Sequence, residues 1–465
     1  MRALDLDPTR LEELAHDVLG AALAWTQTLD ERSVKLDSSG SQLLALFGDV
    51  LPESGLGAEE SFGLAALLDH SRAQNGRFFG YVMGSAEPVG VLGDFLSAAL
   101  NQNVTSWRSG PAATTIERAL VERFAHELGC DGFSGSFCGG GSSGNLMGLA
   151  MARESKSPAN EVGARPATVY ASSEVHMSIP KAVALLGLGR DNLRLVAVDE
   201  AFKMRTDALR EAIIYDIDSG RTPIAVVANA GTISTGAVDP LEEIAAITRE
   251  HDLHLHVDGA YGGLAALAAP DRIGPLGLAD SVSLDLHKWL YQPIDCGLLL
   301  YRDRDLARRT FAHTDDYVAS LADDPLEAFM FFEESVELSR RFRALKVWMS
   351  VRFHGLGAYR ASIREDLELA ARLAQKIEDS DDLELLAPVD LSAVCFRARQ
   401  PSTASLDSFN RAVLAGVNER GRVYISNATV NGRFALRACI TNHRTTIEDV
   451  DALIDEVRTV AGALS

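Results

Sequence analysis

The chain has 465 residues, enough for two or three domains at roughly 150 residues each. Apolar residue types make up 47% and charged types 23%, with 38 glycines and 15 prolines, which excludes collagen-like and largely disordered proteins. The 44 basic and 65 acidic residues give a formal net charge of −21. Such a field repels nucleic-acid phosphates and anionic lipid surfaces, so we expect neither as a partner.

Cysteine usage and the N-terminal segment predict the cellular compartment. The five cysteines are odd in number and lack CxxC spacing, which excludes a disulfide framework and a zinc knuckle and fits a reducing compartment. The N-terminus carries acidic residues where a secretory signal needs an apolar run, and no long uncharged apolar stretch follows. We therefore expect a cytoplasmic protein. The cysteines are Cys130, Cys138, Cys296, Cys395 and Cys439.

The N-terminal stretch predicts an amphipathic helix over 8–29. Asp7 is a candidate N-cap, Pro8 suits the first helical position, and apolar residues then recur at three- and four-residue spacing. The next residues, about 35 of them, are richer in Gly, Ser and Glu and predict a looser connection. We expect residues 1–75 to form a helical arm that packs on another subunit or on the larger domain.

The rest of the chain predicts a large and a small domain. In 76–345, short β-rich runs alternate with helical stretches, and several runs are continuously apolar, as in strands covered on both faces. This pattern predicts an α/β domain on a mostly parallel sheet. Residues 346–465 predict a small α+β C-terminal domain that includes a long amphipathic helix at 358–379. The strands predicted in the large domain are 168–171, 193–198, 224–229, 253–258, 281–284 and 297–301.

A glycine-rich segment predicts an anion site. Gly139, Gly141 and Gly144 match the G-x-G-x-x-G pattern of dinucleotide-binding loops. The match is weak, because the residues before the glycines predict a poor strand and no second strand ending in an acid follows at the usual distance. Glycines also let the backbone approach an anion, and Ser142, Ser143 and a helix N-terminus supply donors. The segment is either a phosphate site or a tight turn without a ligand.

Lys288 is the most distinctive candidate for chemistry. It lies between two apolar runs, with His287 before it and Trp289 after it. Burial at such a position penalises an ammonium group, which is the condition that imine-forming lysines need. The alternative is a surface lysine whose charged end reaches solvent.

Two further residues support a site for a planar cofactor. Asp258 ends an apolar strand, where crevices open in parallel sheets, and an acid there can hold the nitrogen of a bound pyridoxal ring protonated. His254, His256 and Asp258 share one strand face, which also permits a metal site. Side chains along one straight strand diverge, so we predict no metal and interpret the two histidines as packing residues. His176, at the start of a predicted helix, fits an imidazole that packs against the ring.

At this point the sequence resembles the group II pyridoxal-phosphate-dependent amino-acid decarboxylases, especially their aromatic-amino-acid branch. The resemblance covers roughly residues 70–445, and an ordered set of motifs is far more specific than any one of them. The motifs, in chain order, are RFFGYVMG, GDFLSAALNQNVTSW, GPAATTIE, CGGGSSGN, EVHMSIPKA, NAGTISTGAVDPL, HVDGAYGG, DLHKWL, ELSRRFRALKVWMSVRFHG and RFALRACITN.

The resemblance implies a fold, a cofactor and residue roles. The fold would be the type I, aspartate-aminotransferase-like fold of pyridoxal-phosphate enzymes, in a homodimer whose sites are shared between subunits. The substrate would be an L-amino acid and the cofactor pyridoxal 5′-phosphate. Lys288 would form the Schiff base, Asp258 would pair with the ring nitrogen, and His176 would stack on the ring. His287 would lie at the reacting face, and the remaining cofactor contacts would come from Gly141, Ser142, Ser143 and Thr232.

Several positions depart from the family pattern. Asp285 stands where the NPHK motif has an asparagine that helps to hold phosphate. A carboxylate there needs another partner or a proton, so the phosphate role is not extended to it. Ile233 replaces the second threonine of the usual GTT turn, which leaves Thr232 as the candidate hydroxyl. In the glycine loop, Ser143 and Gly144 replace the family's usual Glu-Ala or Glu-Asn step.

Phe331 is the departure with a consequence for the product. Counting back without gaps from ELSRRFR, the tyrosine that protonates the reacting carbon in many of these decarboxylases falls on Phe331. A phenyl ring cannot donate a proton. In plant aldehyde synthases that resemble this family, phenylalanine there accompanies formation of an aldehyde, ammonia and peroxide in place of the amine. Tyr317 and His287 are other candidate donors.

The sequence thus predicts a pyridoxal-phosphate enzyme that decarboxylates an L-amino acid through Lys288. The product is an amine or, because of Phe331, an aldehyde formed by decarboxylation-dependent oxidative deamination. One alternative is β-elimination on a cysteine S-conjugate, as in similar enzymes of lincosamide-type antibiotic pathways. A nicotinamide-dependent oxidoreductase and a cofactor-free binding protein on the same fold are the remaining hypotheses.

Overall fold

The computed structural model describes residues 4–48, 51–58, 62–313, 324, 326–399 and 405–464. The predicted N-terminal helix is confirmed as α1 (Pro8–Thr28), and the Asp7 carboxylate accepts hydrogen bonds from the backbone N–H groups of Thr9 and Arg10. The looser connection predicted after it is wrong in part, because it contains α2 (Gly40–Phe47), and α3 (Leu64–Asp69) follows it. Ser39 and Gln42 form a capping box at the start of α2, a local signal that favours a helix.

Within the described residues, the large domain is built on a seven-stranded sheet of order β1-β7-β6-β5-β4-β2-β3. Strands β2 to β6 are joined by parallel pairings, and β7 pairs antiparallel with both β6 and β1. The predicted mostly parallel sheet is therefore confirmed. The strands are β1 (Ser134–Cys138), β2 (Thr168–Ser172), β3 (Leu193–Val196), β4 (Pro223–Asn229), β5 (His254–Gly259), β6 (Ser281–Asp285) and β7 (Gly297–Tyr301).

Helices cover both faces of this sheet, as buried parallel strands require. The helices between Pro88 and His354 are α4 (Pro88–Leu100), α5 (Pro111–Glu127), α6 (Gly141–Lys156), α7 (Ser178–Leu185), α8 (Thr206–Asp218), α9 (Leu241–Glu250), α10 (Pro270–Ile273), α11 (Leu286–Trp289), α12 (Arg304–Phe311) and α13 (Ala344–His354).

Strand β1 corrects one prediction. The residues before the glycine loop predict a poor strand, yet Ser134–Cys138 pairs along its whole length with β7. Its small residues allow β1 to lie close to β7, because a Cβ at Gly135 would lie 2.4 Å from the Leu299 carbonyl oxygen. Pairing with an apolar neighbour thus overrides the low strand propensity of this segment.

The C-terminal part forms a small antiparallel sheet of order β10-β11-β9-β8 within the described residues. The long helix predicted at 358–379 is confirmed as α14 (Leu356–Glu378), whereas β10 is a strand that the sequence does not predict. The domain boundaries at residues 75 and 345 stay predictions. The other elements are β8 (Leu383–Leu385), β9 (Ala393–Ala398), β10 (Ser426–Val430), β11 (Arg433–Cys439), α15 (Leu406–Arg420) and α16 (Ile447–Leu464).

All five cysteines are buried as free thiols. Among the described helices, none has both the length and the apolar character to cross a membrane.

Asp366 makes the stability of the fold depend on pH. It lies buried on α14, accepts a hydrogen bond from the Tyr291 hydroxyl at 2.9 Å, and has its pKa raised to about 7 by burial. A carboxyl whose folded pKa exceeds its unfolded value of about 4 stabilises the fold at low pH, and that stability is lost as the pH rises through 7. We expect the urea concentration at the midpoint of unfolding to decrease as the pH is raised from 5 to 8.

The matched variant is Asp366→Asn, which keeps an oxygen acceptor for Tyr291 but cannot ionise. Its urea midpoint should change less between pH 5 and pH 8 than that of the wild type. Asp381→Asn removes an exposed carboxylate and should leave the wild-type slope in place. Equal slopes for all three proteins would show that Asp366 does not titrate in this range.

Candidate active site

A cavity of about 230 Å³ opens where β4, β5 and β6 end. This is the edge of a parallel sheet at which ligand crevices form. Asn229 and Asp258 are paired neighbours at the ends of β4 and β5, and Asp258 is paired with Ser283 on β6. The cavity is lined by Gly139, Gly140, Gly141, Ser142, Asn145, His176, Asn229, Gly231, Ile233, Asp258, Ala260, Tyr261, Asp285, His287 and Lys288.

Lys288 enters the cavity from the short helix α11, directly after β6. Its Nζ lies 2.9 Å from Asp285 Oδ2, and its side chain is 17% exposed. The side chain is thus held inside the cavity by a carboxylate and does not extend into solvent. Asp285 Oδ2 is also 3.6 Å from His287 Nε2. Asp285, which the family resemblance left without a role, therefore has a partner in Lys288.

Asp258 lies in the same cavity, on strand β5. Its Oδ2 accepts a hydrogen bond from Asn145 Nδ2 at 2.8 Å, and its Oδ1 accepts one from the Ala260 backbone N–H at 3.1 Å. The residue is 6% exposed and lines the cavity. Both oxygens of the Asp258 carboxylate are thus held by N–H donors.

Two histidines line the same cavity. His176 precedes α7 as predicted, and its Nδ1 accepts a hydrogen bond from the Ser178 backbone N–H at 3.3 Å. Burial lowers the pKa of His176, against an opposing effect of Asp258. Burial also lowers the pKa of His287. Both imidazoles therefore favour the neutral form, in which one ring nitrogen remains a hydrogen-bond acceptor.

The glycine-rich segment forms the N-terminus of α6 at the cavity. The first N–H groups of a helix have no partner within the helix, and the helix dipole favours an anion beside them. Packing here leaves no room for a side chain, because a Cβ at Gly141 would lie 2.5 Å from the Ala260 Cβ. Ser142 lines the cavity, whereas Ser143 is half-buried and is not among the lining residues of the described chain.

The structure does not bring two of the predicted residues into the cavity. Thr232 is buried in its own turn, where its hydroxyl accepts a hydrogen bond from the Ala237 N–H at 3.1 Å and contacts Thr235. Phe331 is fully buried in a short 3₁₀ helix, and the Arg340 guanidinium lies 4.3 Å from its ring centre. Neither residue lines the cavity within the described chain. Tyr317 lies outside the described residues.

The structure adds two polar residues that the sequence reasoning missed. Asn145, one turn into α6, and Asn229, at the end of β4, both line the cavity. Asn229 Nδ2 donates to Ser172 Oγ and to Asp239 Oδ2, each at 3.0 Å. Neither residue stands out in the sequence, although Asn145 follows the glycine motif directly and its place in the first turn of the helix could have drawn notice.

Residues 64–399 match the family model described as the pyridoxal-dependent decarboxylase conserved domain. The chain belongs to this decarboxylase family. It is 30% identical to the aromatic-L-amino-acid decarboxylase of Bacillus atrophaeus, over 99% of this chain and 98% of the relative. Among solved structures, 4-hydroxyphenylacetaldehyde synthase of Rhodiola rosea is 28% identical, with a TM-score of 0.88 over 98% of this chain and 99% of that one.

The family's fold type I is confirmed by a further neighbour. The TDC of Oryza sativa, solved with PLP and tryptamine, superposes with a TM-score of 0.93 over all of this chain and 99% of that one, at 24% identity. The decarboxylase described here is accordingly a pyridoxal-phosphate enzyme with a large, mostly parallel sheet and a small antiparallel one.

The residues of the cavity fit pyridoxal phosphate. A helix N-terminus offers N–H donors to a phosphate, a lysine amine is available to an aldehyde, and a buried carboxylate is available to a ring nitrogen. Asp285 Oδ1 is also buried without a hydrogen-bond partner among the described residues. An unpaired buried oxygen is costly, and it marks a place where a ligand or a water supplies the missing donor.

Proposed function

We propose that this protein removes the carboxyl group of an L-amino acid, with Lys288 bound covalently to pyridoxal phosphate. The observation that carries this proposal is the meeting of Lys288, Asp258 and the N-terminus of α6 in one cavity of about 230 Å³. A cofactor-free binding protein has no need for a half-buried lysine held beside a carboxylate in a cavity. The nicotinamide-dependent alternative is not favoured, because the chain belongs to a pyridoxal-dependent family.

Each residue contributes position or charge. When bound, pyridoxal phosphate supplies a conjugated ring that accepts the electrons of the broken bond. The α6 N-terminus and Ser142 would bind the phosphate, and Asp258 would hold a proton on the ring nitrogen. Asp285 Oδ2 lies 2.9 Å from Lys288 Nζ and holds the amine in the cavity. His176 would pack on the ring, which limits the orientations that the substrate can take.

The substrate class follows from the relatives and stays a proposal. The bacterial relative is named for aromatic L-amino acids, and the matched chains extend over nearly its whole length. We infer that an aromatic L-amino acid is the substrate. The test is turnover of a panel of aromatic, branched and sulfur-containing amino acids by the enzyme loaded with pyridoxal phosphate, with carbon dioxide measured for each. Elimination from a cysteine S-conjugate without carbon dioxide would contradict the proposal.

We expect an amine as the product, because the buried position of Phe331 gives no support for a change of product to an aldehyde. Phe331 is fully buried, with Phe329 edge-on at 4.7 Å and Arg340 over its ring. A side chain packed in this way does not determine which proton donor reaches the cavity. We expect one amine per carbon dioxide from the wild type and no change of product in Phe331→Tyr. Gas release, amine, aldehyde and peroxide are measured in the same reaction.

The aldehyde-forming relatives provide the contrary outcome. 4-Hydroxyphenylacetaldehyde synthase of Rhodiola rosea is among the similar structures, so aldehyde and peroxide in step with carbon dioxide would assign this chain to the oxidative branch. Conversion of that product to amine by Phe331→Tyr would show that position 331 controls it. His287→Gln and Tyr317→Phe identify the donor, because loss of the donor should raise peroxide.

The assembly is proposed to be a homodimer in the cytoplasm. Helix α1 has no buried residue within its own chain, and Leu11, Leu19 and Leu23 are 56%, 45% and 49% exposed. An apolar helix face of this kind favours burial against a second copy. The five buried free thiols fit a reducing compartment. Light scattering of the full chain checks the dimer, and a monomeric holoenzyme with full activity would contradict it.

A further inference from the structure

A row of buried polar side chains leads away from Asp258, beginning with Asn145 at the wall of the cavity. Asn145 Nδ2 lies 2.8 Å from Asp258 Oδ2, and His256 Nε2 lies 2.9 Å from Asn145 Oδ1. Ser281 Oγ then lies 2.8 Å from His256 Nδ1 and 2.9 Å from His254 Nε2. We call Asn145, His256, Ser281 and His254 the polar row. None of its members is more than 3% exposed.

The direction of every hydrogen bond in the polar row follows from Asp258. A carboxylate accepts only, so Asn145 must turn its amide N–H towards Asp258 and its oxygen towards His256. His256 therefore donates from Nε2. Burial lowers the pKa of His256 to about 4, so its ring is neutral and its Nδ1 must accept from the Ser281 hydroxyl.

The same reasoning extends to the end of the row. Because the Ser281 proton points to His256, the Ser281 oxygen accepts from His254 Nε2. Burial lowers the pKa of His254 to about 3, so this ring is also neutral. All the donors thus point one way, towards Asp258. Aligned hydrogen bonds polarise one another, and their combined dipoles favour a negative charge at the end of the row.

The polar row is not suited to carry protons. A proton can pass through a hydroxyl or an imidazole, but an amide that donates from nitrogen and accepts at oxygen has no labile proton to hand on. Asn145 is such an amide, and it stands between His256 and Asp258. The row can therefore act on Asp258 only through orientation and electrostatics.

Close packing of α6 on the sheet holds the polar row in place. A Cβ at Gly148 would lie 2.4 Å from His256 Nδ1, and a Cβ at Gly144 would lie 2.9 Å from the Ser283 Cβ. Without side chains at these two positions, the helix approaches the strands closely enough for Asn145 to reach Asp258. Gly144 of the glycine motif thus acts through the packing of α6 on β6, next to Asp258.

We propose that Asn145 and His256 are positioning residues that keep Asp258 ionised and oriented, and so keep the proton on the ring nitrogen of the cofactor. This rests on the proposed role of Asp258 as the partner of that nitrogen. Without the row, a buried carboxylate beside a pyridine nitrogen would take the proton itself, because burial penalises its charge. A neutral hydrogen bond would then replace a charge-assisted one, which is roughly twice as strong.

The test compares pyridoxal phosphate with its carbocyclic analogue, in which a C–H replaces the ring nitrogen. Dissociation constants of both are measured for the wild-type apoprotein and for Asn145→Leu, which has a similar volume but no polar group. We expect the variant to bind pyridoxal phosphate about tenfold more weakly, and the analogue with less than about a twofold change. The ¹⁵N shift of ring-labelled cofactor should move from the pyridinium towards the pyridine position.

A matched pair of variants at His256, the residue that follows Asn145 in the polar row, controls for damage to folding. His256→Gln keeps an amide N–H for the Asn145 oxygen and should preserve most of the preference for pyridoxal phosphate, whereas His256→Leu should lose it. If the Asn145 and His256 variants weaken the binding of pyridoxal phosphate and of its carbocyclic analogue equally, the polar row is only structural and the inference is wrong. If Asp258→Ala also weakens both equally, the proposed role of Asp258 fails first.

Discussion

Replacing Lys288 with alanine is expected to abolish covalent attachment of the cofactor and to lower decarboxylation at least about 10³-fold. Lys288 is the lysine whose amine lines the cavity in the described chain, and it is held there by Asp285 at 2.9 Å. An alanine can neither form a Schiff base nor move a proton. The measurements are the absorption band of the loaded enzyme, borohydride trapping followed by peptide mapping, and the rate of carbon dioxide release.

The control is Lys181→Ala, which removes an exposed lysine on α7. It should keep the absorption band, and the trapped cofactor should stay on the Lys288 peptide. Label on any other peptide, or a normal rate in Lys288→Ala, would overturn the assignment. Because noncovalent binding through phosphate contacts survives in such a variant, simple retention of the cofactor is not decisive, and the covalent link must be measured.

Much of the fold could be predicted because its signals are local. Continuous apolar runs mark β4 and β7, which are buried along nearly their whole length, and the cap at Asp7 marks the start of α1. Strand β1, which the sequence analysis missed, depends on a distant partner and not on a local signal. Its pairing with β7 is decided by a partner about 160 residues away in the sequence, so no property of SGSFC alone reveals it.

In the site too, some residues could be predicted from local sequence signals and others could not. Lys288 and Asp258 are recognisable because a charged residue at the end of an apolar strand is unusual. Asn145 and Thr232 could not be assigned in this way, because the direction of their side chains depends on packing between elements. Asn145 reaches Asp258 only because Gly144 and Gly148 let α6 approach the sheet. Thr232 instead uses its hydroxyl within its own turn.

Phe331 illustrates a limit of counting along the chain. A gapless count from ELSRRFR assumes that the intervening loop has constant length, and loops vary most in length. The structure places Phe331 in the core beside Arg340, which forms a buried ion pair with Glu117. That environment explains an apolar ring at this position by packing, and the role of position 331 in protonation stays a prediction.

Asp258→Asn is expected to lower the rate of decarboxylation by about 10²–10³-fold while leaving the covalent link to Lys288 intact. Asn145 donates an N–H to Oδ2 at 2.8 Å, so the new amide would place its oxygen there and turn its NH₂ group to the other side. An NH₂ group cannot hold a proton on a ring nitrogen, and the ring becomes a weaker electron acceptor. Rate and borohydride trapping are measured on the same preparation.

A cofactor methylated at the ring nitrogen separates charge from structure. Its positive charge is permanent, so it no longer needs a carboxylate to keep the nitrogen protonated. It should raise the rate of Asp258→Asn by at least about tenfold over pyridoxal phosphate, since one pKa unit of lost interaction corresponds to that factor. It should not raise the wild-type rate, where Asp258 already supplies this effect. If the methylated cofactor binds to the variant without any gain, Asp258 acts on the fold of the cavity and not on the ring.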